Sequence, residues 1–169
     1  PGMRAKGSGL FVNISSVMGR VVLPFAGPYT ATKFALEGFS ENLRYELAPT
    51  GVDVTFVEPG GFGTGFLGPM VSGSDESRLD SYGPLKEVPD QMWGGFEQML
   101  AADAAPDPQL VADAVIELIE TPAGKRPLRV VVDPMFGGEG PTTINGVTDE
   151  IQTAIMTYFG MEDSLAGKG

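Results

Sequence analysis

Three short apolar runs, each followed by a helical pattern, constrain the fold of this chain more than any other feature. Residues 10–14, 52–57 and 128–132 are rich in Val, Ile, Leu and Phe, which is typical of strands buried on both faces of a parallel sheet. Between them, residues 28–47 and 107–120 repeat apolar side chains at helical spacing. Strands that alternate with helices predict an α/β layer fold with parallel strands.

The other segments carry weaker signals. Residues 60–105 scatter glycines among Phe, Met and Trp side chains, which predicts loops and short helices. A last helix is expected to begin near Thr148, whose hydroxyl would cap it, and to end before Gly160. In the helix over 28–47, apolar side chains such as Phe34 and Phe39 are expected on the buried face. The length of 169 residues favours a single α/β domain over 1–169.

The charge and the missing residue types exclude several functions. Eleven Lys and Arg residues stand against 22 Asp and Glu residues, giving a net charge of −11, so nucleic acid is not an expected partner. No apolar run approaches the ~20 residues that span a membrane, and we expect a soluble, cytoplasmic protein. The chain has neither Cys nor His, which excludes a Ser-His-Asp triad and leaves no metal site expected. A neutral-pH acid or base must then be a carboxyl, a Lys or a Tyr.

Tyr29 and Lys33 stand four residues apart near the start of the helix predicted over 28–47, so they share one helix face. Alone, such a pair indicates only an amphipathic helix with an exposed Lys. Ser16, however, follows the first predicted strand, and Pro59 and Gly60 follow the second. Because ligands of parallel α/β sheets bind beyond the carboxyl ends of the strands, we expect the chemistry there.

The spaced motifs together are more specific than any one of them. The chain reads Asn13-Ile-Ser-Ser16, then Tyr29-x-x-x-Lys33, then Pro59-Gly60 with a Thr four residues later. This order resembles short-chain dehydrogenases/reductases, and the resemblance covers about residues 1–135. It implies a partial Rossmann-like, doubly wound sheet, with residues 136–169 as a C-terminal extension.

The resemblance also implies roles for single residues. Ser16 would orient the substrate oxygen, Tyr29 would give or take its proton, and Lys33 would stabilise the Tyr29 phenolate and bond the nicotinamide ribose of NAD or NADP. A free phenol has a pKa near 10, and an adjacent ammonium favours its anion. Further contacts to the cofactor would come from Pro59, Gly60, Gly61 and Thr64.

One expected feature of that family is not found before Ser16, namely a glycine-rich loop between a strand and a helix. The clusters over 61–65 and 137–140 are not expected to replace it, because neither is predicted between a strand and a helix at the required spacing. We therefore expect the C-terminal half of the family fold. Its first strand would have an unpaired edge, covered by a second copy in a homo-oligomer or by a complementary N-terminal half.

Three functions stay open at this point. The first is an NAD(P)-dependent oxidoreductase acting on an alcohol or carbonyl small molecule, with Phe62, Phe66 and Trp93 lining an apolar substrate pocket. The second is a cofactor-independent, esterase-like hydrolase in which Ser16 attacks an ester and Tyr29, with Lys33 beside it, serves as base. The third is a non-catalytic module that binds a partner through its edge strand or its acidic surface.

Overall fold

The computed structural model describes residues 1–68, 73, 75–102 and 105–165. These residues form two compact units, one built from Pro1–Gly60 with Gln109–Gly169 and the other from Gly61–Pro108. The first unit contains all of the strands found among the described residues. The prediction of a single domain over 1–169 stays a prediction.

The first unit is built on a three-stranded sheet in the order β1-β2-β3, where β1 is Gly9–Ile14, β2 is Val52–Pro59 and β3 is Arg129–Val132. Both pairings are parallel: Ile14 lies opposite Val57, and Val57 lies opposite Val130. Helices follow each of the first two strands, as parallel strands require a crossover. The predicted α/β fold with parallel strands is confirmed.

The central strand β2 forms the core of this unit. Val54, Phe56 and Val57 are completely buried, because β1 and β3 cover both edges and helices cover the faces. The buried carboxylate of Asp53 on β2 is paired with Arg126, with 2.6 Å between Nη1 and Oδ2.

The helices begin with α1, Gly2–Lys6, and continue with α2, Gly27–Leu47, which lies between β1 and β2. Pro28 lies in the first turn of α2, where its missing N–H costs nothing, and a short 3₁₀ helix over Ala48–Thr50 ends at Gly51 with φ 74°. Both termini of α2 agree closely with the prediction. Among the described residues, no helix is both long and apolar enough to cross a membrane.

The buried face of α2 differs from the prediction. Phe34 and Phe39 are 43% and 65% exposed, whereas the buried side chains of this helix are Thr30, Glu37, Ser40 and Arg44. The expectation that the two phenylalanines face the core was wrong. Polar partners on the strands and loops under the helix, which the helical pattern cannot show, select the polar stripe for burial.

The described residues of the second unit include two helical segments. Leu79–Glu87 is 3₁₀ helix, interrupted at Gly83, and it leads into α3, Val88–Leu100. Trp93 and Phe96 stack edge to face with ring centroids 6.1 Å apart. These elements agree with the loops and short helices expected over 60–105.

Helix α4, Gln109–Glu120, connects to β3, and α5 extends over Glu139–Tyr158. The prediction that α5 begins near Thr148 was therefore wrong. The first turns of α5 contain Gly and β-branched residues, which are weak helix formers. They are helical because they pack on the sheet, with Pro141 and Asn145 buried.

Gly137 and Gly138 connect β3 to α5, with φ values of 78° and 64°. A side chain at Gly138 would also meet Val131, whose Cγ1 would lie 2.9 Å from the added Cβ. This cluster does lie between a strand and a helix, β3 and α5, and the expectation that it lacks the spacing of a dinucleotide-binding loop stays a prediction. The first turn of α5 contains Glu139, so the segment places a carboxylate where a phosphate loop would bind an anion.

Strand β1 pairs with β2 along one edge, and no strand among the described residues pairs with its other edge. Phe11 and Ile14 are 41% and 46% exposed. A cleft of about 520 Å³, lined in part by Leu10, Val12 and Ile119, borders this strand. An apolar edge of this kind readily pairs with another segment.

Replacing Arg44 by Met is expected to lower the free energy of unfolding by about 2–4 kcal/mol. Its guanidinium donates to the carbonyl oxygens of Val54 and Arg126, each at 2.8 Å, and Met leaves both buried acceptors without this donor. Urea denaturation measures the change. The exposed Arg78→Met variant is the control, expected within about 0.5 kcal/mol of wild type. Equal stability of the two variants would contradict the role of Arg44.

Candidate active site

The carboxyl ends of the three strands lie side by side at one edge of the sheet. The backbone N–H of Ser15 donates to the Val57 carbonyl at 2.8 Å, and the N–H of Gly60 donates to the Val132 carbonyl at 2.9 Å. These two bonds extend the pairing beyond the ends of the ladders. They join the segments that carry Ser16 and Gly60 to one rigid frame.

Ser16 is 7% exposed and caps the short 3₁₀ helix Val17–Gly19. Its Oγ accepts a hydrogen bond from the backbone N–H of Met18 at 3.1 Å. This bond uses a lone pair of the oxygen and leaves the hydroxyl proton for another acceptor. Ser15, by contrast, donates from its Oγ to Oε1 of Glu37 at 2.7 Å.

Ser16, rather than Ser15, is the capping residue, because its backbone is extended and its side chain faces the turn that follows. Ser16 lies two residues after the end of β1, at the carboxyl end of the strand as predicted. Its capping bond fixes the orientation of the hydroxyl.

Tyr29 and Lys33 lie one turn apart near the start of α2, as their spacing predicted. The Lys33 Nζ lies 5.5 Å from the centroid of the Tyr29 ring and donates to the carbonyl of Ile14 at 3.0 Å. This second contact brings Lys33 to the strand end that leads into Ser16. Burial lowers the pKa of Lys33, and the negative charge of Glu37 opposes that shift.

Pro59 is the last residue of β2, and Gly60 follows at the same sheet edge. A Cβ atom at Gly60 would lie 2.1 Å from Oδ1 of Asp133, which follows β3. Asp133 is itself 8% exposed, so it has little room to move. Only Gly allows the backbone to pass so close to this carboxylate.

The remaining predicted site residues belong to the second unit. Gly61, Phe62 and Thr64 begin it, Phe66 is 58% exposed, and Trp93 lies on α3. Phe62 is 8% exposed, and the neighbouring Gly63 closely approaches the carbonyl oxygen of Leu100. Their roles toward cofactor and substrate stay predictions.

A buried ionic cluster under the strand ends escaped the sequence analysis. Glu37 on α2, Glu58 on β2 and Arg129 on β3 meet there, with both carboxyls 2% exposed or less. Glu37 follows Lys33 by one helical turn, and Glu58 immediately precedes Pro59. Charged residues within an otherwise apolar strand were the available signal, since buried charges require partners.

Comparison with known proteins shows a consistent likeness. Residues 1–74 match the family model described as short chain dehydrogenase. The uncharacterized oxidoreductase YusZ of Bacillus subtilis is 33% identical over 123 residues, which are 70% of this chain and 41% of that protein. The mitochondrial D-beta-hydroxybutyrate dehydrogenase of Mus musculus is 56% identical over 59 residues, 35% of this chain and 17% of that protein.

Solved structures show the same likeness over more of the chain. A short-chain dehydrogenase from Streptomyces avermitilis has a TM-score of 0.57 and 32% identity, covering 95% of this chain and 53% of that one. The F189W actinorhodin polyketide ketoreductase with NADPH has a TM-score of 0.56 and 31% identity, covering 82% and 50%. The chain thus spans about half the length of these structures.

Replacing Gly60 by Ala is expected to lower the free energy of unfolding by about 1–3 kcal/mol, because the added Cβ overlaps the Asp133 carboxylate. Gly38→Ala is the matched control: the position lies inside α2 and faces open space, so stability should rise by about 0.5–1 kcal/mol. Denaturant unfolding measures both variants.

Removing the Asp133 carboxylate tests whether its contact is the reason for the cost of Gly60→Ala. In an Asp133→Gly background, Gly60→Ala should cost much less than in the wild-type chain. An unchanged cost in that background would show that the contact with Asp133 is not the reason for Gly at this position.

Proposed function

Because the chain belongs to the short-chain dehydrogenase/reductase family, we propose that it is an NAD(P)-dependent oxidoreductase that interconverts an alcohol and a carbonyl compound. Ser16, Tyr29 and Lys33 are the residues that carry the proposed chemistry. The observation that supports it best is the position of Lys33, whose ammonium contacts the Tyr29 ring and the end of β1 together.

Tyr29 is the proposed proton donor and acceptor. As a phenol gives up its proton, negative charge develops on its oxygen, and a nearby positive charge stabilises it. The ammonium of Lys33 supplies that charge from 5.5 Å, measured to the ring centroid. In the direction of reduction, the Tyr29 hydroxyl protonates the oxygen of the carbonyl as it becomes an alcohol.

Ser16 is the proposed donor to that same oxygen. As a carbonyl is reduced, negative charge develops on its oxygen, and a fixed hydroxyl donor stabilises this charge. The bond from Met18 holds the Ser16 oxygen while leaving its proton free for the substrate. Ser16 therefore acts without reorganising as the charge develops.

The nicotinamide cofactor, when bound, supplies the hydride. The chain fits it at Lys33. An ammonium has three donors, and the bond to Ile14 uses one of those of Lys33, which leaves donors for the ribose hydroxyls. Pro59, Gly60, Gly61 and Thr64 are the further contacts that the family resemblance proposes.

Solved relatives support a nicotinamide cofactor without selecting between its two forms. The ketoreductase named above contains NADPH, and a serine dehydrogenase that is 29% identical, with a TM-score of 0.54, is complexed with NADP+. The latter match covers 78% of this chain and 46% of that one. We propose NAD or NADP for this chain on that basis.

The proposed substrate is a small alcohol or carbonyl compound, in a pocket to which Phe62, Phe66 and Trp93 are proposed to contribute apolar surface. The proposed macromolecular partner is a second copy of the chain or a complementary segment beside β1. Phe34 and Phe39 support self-association, because both are exposed on α2 and such aromatic side chains are enriched at protein interfaces. The comparisons do not favour the hydrolase.

Tyr29→Phe is expected to reduce turnover of carbonyl substrates with NADH or NADPH by at least ~10²-fold, because it removes the proton that the product oxygen requires. Lys33→Met should reduce it similarly. Absorbance of the reduced cofactor measures the rates. Tyr158→Phe is the matched control and should leave turnover unchanged, since Tyr158 is 85% exposed.

Undiminished turnover in a folded Tyr29→Phe protein would exclude the proposed proton transfer. Ester hydrolysis that proceeds without added nucleotide and is lost in Ser16→Ala would favour the hydrolase over the oxidoreductase. Unfolding curves for every variant separate loss of chemistry from loss of fold.

A further inference from the structure

The ionic cluster under the strand ends joins four parts of the first unit. Glu37 lies on α2, Glu58 on β2 and Arg129 on β3, and the amide of Asn145 on α5 donates to Oε2 of Glu58 at 2.8 Å. Arg20, in the loop between Ser16 and Tyr29, adds a second guanidinium 3.7 Å from Oε2 of Glu37. Glu37 and Glu58 are 2% and 0% exposed, so water does not solvate them.

Arg129 cannot neutralise both carboxyls. Its two terminal nitrogens already form ion pairs with Glu41 and Asp149. Only its Nε faces the pair, 4.0 Å from Oε2 of Glu37 and 3.8 Å from Oε1 of Glu58. Arg129 therefore offers one N–H to the two carboxyl groups.

Among the described residues, several atoms of this cluster are buried without a hydrogen-bond partner, among them Nε of Arg20 and Oδ1 of Asn145 at its periphery. Within the part of the chain that the structure describes, Oε2 of Glu37, Oε1 of Glu58 and Nε of Arg129 are buried and have no hydrogen-bond partner. An ionised carboxyl only accepts hydrogen bonds, whereas a protonated one also donates. A single proton on one carboxyl turns two unpaired acceptors into a donor and an acceptor.

The charges in the cluster lead to the same conclusion. Two guanidinium groups, of Arg20 and Arg129, face the carboxyls of Glu37, Glu58, Glu41 and Asp149. Two buried carboxylates at short range do not both remain ionised, since their repulsion is weakly screened away from water. One bound proton on the pair lowers the excess negative charge of these groups from two to one.

We propose that Glu37 and Glu58 share one proton and that this carboxyl pair positions the active site. Glu37 holds Ser15, the residue before Ser16, through the 2.7 Å bond from the Ser15 hydroxyl. It lies one turn after Lys33 on α2, and Glu58 directly precedes Pro59. The pair is a positioning element, and its effect on catalysis rests on the function proposed above.

The pair makes the site sensitive to pH. Burial raises the pKa of Glu37, against the hydrogen bond from Ser15 and the charge of Arg20. Burial, together with the charge of Glu37, raises the pKa of Glu58 from its ordinary 4.5 to about 7. The other charged groups around the pair lie on several elements: Lys33 on α2, Arg20 on the loop before α2, Arg129 on β3, and Glu41 and Asp149, which pair with Arg129.

The sign of the effect follows from proton counting. Between pH 4.5 and about 7 the folded chain binds one more proton at Glu58 than the unfolded chain does. Its contribution to the free energy of unfolding therefore falls as pH rises through this window and is constant above it. Above about pH 7, both carboxyls are ionised and repel each other.

Carbon-13 NMR of the glutamate carboxyls in the full 169-residue chain tests the pair without requiring activity. We expect one resonance of wild type to titrate near pH 7 and to be absent from Glu58→Gln. The Gln amide imitates the protonated carboxyl, donating to Glu37 and accepting from Asn145, so this variant should fold. Glu46 is an exposed residue on α2, the helix that carries Glu37, and Glu46→Gln should keep the resonance that titrates near pH 7.

Titration of every glutamate near its ordinary pKa in wild type would overturn the proposal, and would leave a bridging water as the explanation of the unpaired atoms. Unfolding gives a second readout. The pH dependence between 4.5 and about 7 should be lost in Glu58→Gln and kept in Glu46→Gln. Equal pH dependence in the two variants would also overturn it.

The positioning role has its own readout in the backbone amide resonances of Ser15 and Ser16. In wild type they should shift with the same midpoint as the carboxyl, and in Glu58→Gln they should not. Amide chemical shifts of Ser15 and Ser16 that do not change with the titration would refute the positioning role, even if the two carboxyls share a proton. Absence of dinucleotide-dependent turnover in wild type would refute the proposed function and not the shared proton. The NMR titrations would still decide whether Glu37 and Glu58 share one.

Where turnover is measured, the kcat of wild type should decline as pH rises past about 7, and Glu58→Gln should lose that decline while its KM stays near wild type. Tyr29 and Lys33 are unchanged in this variant. A decline that persists in Glu58→Gln would assign the pH dependence to them and count against the pair as a positioning element.

Discussion

The parallel pairing of β2 with both of its neighbours is the constraint on which the rest of the first unit depends. It places the carboxyl ends of the three strands at one edge of the sheet. The polar side chains that follow these ends are brought together by the strand pairing itself, and no direct contact between them is required. The bonds from Ser15 to Val57 and from Gly60 to Val132 prolong this pairing into the turns. The candidate site thus has the rigidity of a sheet, although its residues lie on loops and on one helix.

Helix α2 combines two environments along its length. Near its start Tyr29 and Lys33 are partly exposed, while Glu37, Ser40 and Arg44 are buried at successive turns below them. Ser40 accepts from Asn13 at 2.8 Å, and Arg44 donates to Val54, so the buried stripe binds β1 and β2 through polar groups. Polar contacts are directional, whereas apolar packing tolerates sliding. This explains why the helix that carries the proposed acid–base residues is fixed by hydrogen bonds rather than by its phenylalanines.

The features that could be predicted from the sequence are those that local sequence patterns determine. The bounds of β1, α2, β2 and α4 follow from apolar spacing and from Pro and Gly at their ends, and the three residues Ser16, Tyr29 and Lys33 follow from motif order. The early start of α5 and the ionic cluster did not follow. Asn145 binds Glu58, which is distant in sequence, and no local signal states that two acidic residues on different elements will meet. For the same reason the buried face of α2 was assigned to the wrong side chains.

The location of the buried acids has a physical consequence for the residues above them. Burial alone favours the neutral form of Lys33, and the negative charge of Glu37 favours the ammonium that the proposed chemistry requires. A second ionised carboxyl at Glu58 would add to that charge but would also separate α2 from β2 by repulsion. A pair that carries one proton retains a single negative charge near Lys33 and keeps the helix bound to the strand. The excess acid in this cluster therefore supports the ammonium form of Lys33, provided that half of the pair stays neutral.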